Sequence, residues 1–208
     1  MGKNRFACLA LACVLAALGA SAQDGSRSRW TVTPRVGTNV STFNGLKQYA
    51  TDEDGSVVVA GDMDAKRKLG VTLGADVEWR MKERIGFSGG WFFSDQGYEH
   101  FHQYCFNMPL LVHFYGAPGL TLKTGVQVDG LVSARQTVGG KRVNVLNSLK
   151  TVGLVLPVGV SYDYRLYTFD VRYCLGLTDW CDVHQYNRLG TSWKTSSLWV
   201  TLGYRFNL

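Results

Sequence analysis

Apolar and polar residues alternate along this chain with a period of two, segment after segment, and few stretches carry a helical period. A period of two places successive side chains on opposite faces, so each segment predicts a strand with one apolar and one more polar row. Val32, Pro34, Val36, Thr38 and Val40 share one face of the first segment, with Thr33, Arg35, Gly37, Asn39 and Ser41 on the other. The second is the cleanest, setting Leu69, Val71, Leu73, Ala75, Val77 and Trp79 against Gly70, Thr72, Gly74, Asp76, Glu78 and Arg80. Similar segments run over residues 85–94, 104–115, 120–132, 152–164 and 167–177. The last, Leu198 to Leu208, ends in the aromatics Tyr204 and Phe206. Eight strands result, and the apolar row carries no charge in any of them.

The connections separate one architecture from another. Between strands two and three lie only residues 81–83, between four and five 116–119, and between six and seven 165–166. The links after strands one, three, five and seven are longer, over about 42–67, 95–103, 134–150 and 178–195. Strict alternation of short and long links is the asymmetry of a bacterial outer-membrane barrel, with tight periplasmic turns, long extracellular loops and both termini periplasmic. Lipid offers the backbone no hydrogen-bond partners, so a spanning sheet must close on itself and lose its edges. The expected fold is therefore all-β: an eight-stranded antiparallel up-and-down transmembrane β-barrel over residues 23–208, with Leu198 to Leu208 pairing back on Trp30 to Ser41. Aromatics gather where strands meet the short turns (Trp30, Trp79, Phe114, Tyr162, Tyr164, Tyr167, Phe169, Tyr204 and Phe206), as an interfacial girdle does.

The N-terminus agrees with that destination. Lys3 and Arg5 precede an apolar run from Phe6 to Leu18, too short to span a bilayer, and Ala20-Ser21-Ala22 forms a small-residue cleavage site. Residues 1–22 read as a cleaved signal peptide. Leu11-Ala12-Cys13 loosely resembles a lipobox, but it sits early in the apolar core, and the later site is better. Cys105, Cys174 and Cys181 remain after cleavage, and a Cys174 to Cys181 bridge bracing the fourth long loop is one arrangement that the compartment permits. Loss of Lys3 and Arg5 takes the formal net charge from +6 to +4. No basic cluster accompanies it, so nucleic acid is not an expected partner.

Several segments resemble PorT-like outer-membrane β-barrel proteins. Pro34-Arg35-Val36-Gly37-Thr38-Asn39-Val40-Ser41 is similar to their first-strand pattern Pro-Lys/Arg-x-Gly-x-Asn-x-Ser. Ser94-Asp95-Gln96-Gly97 resembles their third-strand ending, Met108-Pro109-Leu110-Leu111-Val112 their fourth strand, and Leu202-Gly203-Tyr204-Arg205-Phe206 their closing strand. Cys105 stands where that family often has Tyr, and His113 where it often has Lys. The resemblance implies the porin-like barrel and, through PorT itself, an association with protein secretion.

Function must then reside in the interior or the loops. An eight-stranded barrel is just wide enough for side chains. Its inward candidates are Arg35, Asp76, Glu78, Arg80, His113, Lys123, Asp129, Asp163, Asp170, Arg172 and Arg205, of both signs, and they predict a lumen closed by ion pairs. No nucleophile stands at a recognisable spacing from His113, so no catalytic residues are expected. His100, His102 and His184 lack companion ligands at metal-site spacings, so no metal and no cofactor are expected. The first long link holds Asp52, Glu53, Asp54, Asp62 and Asp64, an acidic segment suited to cations or partners. The resulting expectation is an integral outer-membrane barrel, not an enzyme, surrounded by outer-membrane lipid. Its loops would contact a surface ligand or the secretion machinery; the alternative is a narrow porin-like channel for small solutes.

Overall fold

The computed structural model describes residues 29–44, 47–51, 57–62, 66–98, 101–138, 141–144, 150–180 and 194–208. Strands follow one another as β1 (Trp30–Asn44), β2 (Lys47–Thr51), β3 (Val57–Asp62), β4 (Lys68–Arg80), β5 (Ile85–Tyr98) and β6 (Phe101–Ala117). They continue as β7 (Leu120–Val138), β8 (Lys141–Asn144), β9 (Val152–Tyr164), β10 (Tyr167–Gly176), β11 (Lys194–Tyr204) and β12 (Phe206–Asn207). The main sheet runs β11-β10-β9-β7-β6-β5-β4-β1, every pairing is antiparallel, and β11 returns to β1, which closes an eight-stranded barrel. The closing ladder has the expected partners, with Arg35 opposite Gly203 and Val40 opposite Leu198. The same register resumes in β12, where Val32 faces Phe206. The break falls beside Pro34, which has no N–H to give. Pro109 and Pro157 sit at similar gaps: pairing passes from Gly89–Leu110 to Phe92–Asn107, and from Thr124–Val158 to Gln127–Val155.

Burial is inverted relative to a water-soluble sheet. The apolar rows face outward, with Val36, Leu69, Val71, Leu73, Phe93, Leu110, Leu122 and Val132 all exposed, while Thr33, Arg35, Asn39, Thr72, Asp76, Asn107, Gln127 and Asp170 are buried. An apolar wall around a polar interior suits hydrocarbon as solvent, because the hydrophobic effect then has no reason to bring the apolar rows together. The aromatics expected at the short-turn end are there and outward, among them a Trp30–Trp79 stack with centroids 5.9 Å apart. In the turn between β6 and β7, Pro118 is followed by Gly119 at φ +81°, a left-handed position that glycine fills without strain.

The opposite end departs from expectation. Residues 95–103 are mostly strand, not loop: β5 runs to Tyr98 and β6 starts at Phe101, with Gln96 paired to Gln103. Likewise β7 continues to Val138 and pairs with β8, and a separate β2–β3 hairpin occupies part of the first long link. The strands thus project beyond the wall at this end. Of the acidic first link, Asp52, Glu53, Asp54 and Asp64 lie outside the described residues, as do His100, His184 and the signal segment. Cys105 and Cys174 are buried free thiols. A Cys174 to Cys181 bridge falls on Cys181, also outside the described range.

Candidate functional site

The lumen is built in layers, because inward positions of neighbouring strands meet at similar heights. At the projecting end it holds an apolar cluster. Phe43 of β1, Phe101 and Cys105 of β6, Leu131 and Ala134 of β7, and Trp180 after β10 form one buried cluster. Trp180 folds across Gly153 of β9, where a Cβ would come within 2.5 Å of its ring. Phe43 and Phe101 meet edge to face at 5.6 Å. These residues plug the barrel with rings instead of charges. A second apolar cluster, Phe92, Val155, Cys174 and Trp199, fills the interior nearer the middle.

Toward the short-turn end the interior becomes ionic. Arg35 donates from Nε to Asp76 Oδ1 at 2.7 Å and from Nη2 to Oδ2 at 3.2 Å, a two-pronged pair between adjacent strands. Asp170 of β10 receives Lys123 Nζ at 3.2 Å and Arg172 Nη2 at 3.3 Å, and Arg35 Nη1 lies 3.9 Å away. All five side chains are buried. Glycines make room for them: Gly203 lies against the Arg35 stem, Gly159 against Arg172 and Gly90 against Asp76. Each cation has a carboxylate neighbour, as buried charge requires, but three cations on two carboxylates leave the layer one positive charge in excess. Arg205 pairs with Asp163 at the mouth. Arg80 lies over the Tyr115 ring at 3.8 Å and donates to the Glu83 carbonyl. Asp129 accepts from the Gln127 amide at 2.8 Å, not from a cation. Every one of the eleven inward candidates named from sequence therefore points inward or lines the mouth.

Two groupings were not visible in sequence spacing. Ser88 of β5 and His113 of β6 meet, with Oγ 2.7 Å from Nε2, and Glu78 of β4 places Oε2 3.3 Å from His113 Nδ1. Glu78 also accepts from the Tyr115 hydroxyl at 2.6 Å. The expectation that His113 lacks a nucleophile partner is thus corrected: hydroxyl, imidazole and carboxylate stand in the order of an acyl-transfer relay. The cause is cross-strand register, which pairs Glu78 with Ser88 and sets His113, opposite Gly86, one inward position away on the diagonal. His113 is fully enclosed and Ser88 nearly so. At the other end, Lys68 contacts Asp95, the Gln96 carbonyl at 3.1 Å and His102 Nδ1 at 2.8 Å. The ammonium thus engages one ring nitrogen of His102, and the described residues contain no group of three or more metal-ligating side chains.

A family model described as outer membrane protein beta-barrel domain matches residues 21–182, more than half of the chain. No curated relative matches the sequence. Among solved structures, Neisserial surface protein A is 14% identical, with 87% of this chain and 98% of that one covered at a TM-score of 0.50. Ail, the attachment invasion locus protein of Yersinia pestis, is 12% identical over 85% of this chain and 98% of its own, at 0.44. OprG of Pseudomonas aeruginosa is 12% identical over 88% and 98%, at 0.43. At such identities the likeness concerns the fold alone.

Proposed function

The chain belongs to the outer membrane protein beta-barrel domain family, and from that premise we propose that it is a plugged outer-membrane barrel acting through the strands that project from one end. The observation that carries this reading is the filled lumen: the cluster around Trp180 closes the projecting end, and the Arg35, Asp76, Lys123, Asp170 and Arg172 layer fills the interior toward the short-turn end. A barrel packed in this way offers solutes no wide path. What it offers instead is a rigid mount for β2–β3, the β5–β6 hairpin and β7–β8. In this reading the short turns and both termini are periplasmic, and the projecting strands face outside, where a surface ligand or a partner protein meets them. Assistance to secretion is supported by the PorT-like segments, and co-purification from native membranes tests it.

The protein is not an enzyme in this proposal. The Ser88, His113 and Glu78 relay is enclosed by the wall and serves to satisfy buried polar groups. One observation favours the alternative of a narrow channel: Arg172 Nε and Nη1 and Arg35 Nη1 are buried and make no hydrogen bond to protein, so they could serve a hydrated anion. Planar-bilayer recording separates the two. The plugged reading expects no single-channel steps; regular, anion-selective steps would favour the channel.

A further inference from the structure

The outer wall carries a groove beside its most cationic turn. The groove, about 520 Å³, crosses β1, β4, β5 and β6 and is lined by Trp30, Trp79, Phe87, Gly89, Leu110 and Val112 among others. It exists because Gly89 occupies an outward position in β5 with no side chain, between the exposed Phe87 and Trp91. A Cβ there would meet only the end of the Leu110 side chain, at 3.3 Å. Trp79 stacks on Trp30 on one side and on Phe87, at 6.2 Å, on the other, so an aromatic band crosses three strands at the foot of the groove.

Just past that band come Arg29, before β1, and the β4–β5 turn with Lys82, Glu83 and Arg84. The turn backbone is tied down, since Lys82 N donates to the Ile85 carbonyl and Tyr115 N to that of Arg84. The side chains of Arg29, Lys82 and Arg84 are exposed, and among the described residues no ion pair holds them. Glu83 is the one carboxylate of that turn, so the local excess is two positive charges. Lys82 follows Trp79 by three positions, two of them past the end of β4, so its Cα stands at most about 10 Å of chain beyond the aromatic band.

We propose that this groove and turn form a binding site for an anionic glycerophospholipid, with one acyl chain in the groove over Gly89 and the phosphate held by Lys82, Arg84 and Arg29. A zwitterionic headgroup brings an ammonium that the same cations repel, so the site discriminates by headgroup charge. The proposal rests on the reading that the short-turn end lies in the phospholipid leaflet.

The test is native mass spectrometry of the folded protein in detergent, with phosphatidylglycerol and phosphatidylcholine of identical acyl chains. Heat-modifiable gel mobility shows first that each variant has folded. The expected result is preferential retention of phosphatidylglycerol, reduced roughly fivefold per cation removed in Lys82→Gln and Arg84→Gln. Gly89→Leu, or Gly89→Val if the larger variant does not fold, reduces it as well, while Arg165→Gln at a different turn leaves it unchanged. Equal retention of the two lipids overturns the site. So does a phosphatidylglycerol preference that the turn variants reduce but the Gly89 variants do not, since that is diffuse attraction to a basic rim. Binding in detergent is independent of orientation and of conductance, so failure of the plugged or periplasmic reading leaves this result standing, and the converse also holds.

Discussion

Asp170 accepts from Lys123 and pairs with Arg172 from a position almost wholly enclosed by the wall, and Arg35 is nearby. Removing its charge leaves two cations facing each other without the carboxylate that compensates them. Asp170→Asn is therefore expected to cost about 3–5 kcal/mol, the usual cost of breaking one side of a buried pair. Urea unfolding from detergent micelles or liposomes measures it. Adding Lys123→Met and Arg172→Met to that variant should recover most of the loss, because a buried ionic cluster and an apolar filling of similar volume are close in stability. Ser88 makes a second test at this scale. Its hydroxyl has a base at 2.7 Å but no open face for a substrate. A fluorophosphonate probe is expected to leave Ser88 unlabelled in the folded barrel, and stoichiometric labelling that disappears in Ser88→Ala would establish a nucleophile. This grouping was invisible in the sequence because Glu78, Ser88 and His113 are brought together by register across three strands, and no local spacing encodes register.

At the scale of the element, the outward face of a strand obeys hydrocarbon and not water. Leu73, in the middle of β4 between Val36 and Phe93, is exposed. On a soluble protein Leu73→Arg would be close to neutral. On a lipid-facing position near the bilayer midplane it is expected to cost about 2–4 kcal/mol of folding stability in liposomes. Inward Thr72 is the control position, since a change there alters packing without placing charge in lipid. The strands were legible because this alternation runs through them with a nearly uncharged outer row. Legibility ended where the outer row itself turned polar. Over residues 95–103 the outward Asp95 and His102 are no more apolar than the inward Gln96 and Gln103, so the two rows lose their contrast and a continuing hairpin looks like a loop. The same loss of contrast hides Trp180, whose lumenal role depends on Gly153 being small.

Across the whole molecule, closure, polarity and filling are one arrangement. The chain pairs its last strand with its first, so no edge remains in the wall. The apolar rows then form a continuous outer surface and leave the polar rows inside, where ion pairs and rings fill the volume. Two tryptophans near mid-barrel report on the two sides directly. Trp91 of β5 is outward and half exposed, at 49%, whereas Trp199 of β11 is inward, at 1%, against Phe92. In variants that retain only one of them, refolded into bilayers of brominated lipid, Trp91 fluorescence is predicted to be strongly quenched and Trp199 fluorescence to be nearly unchanged. Equal quenching of the two, or protection of Trp91, would contradict the inside-out barrel.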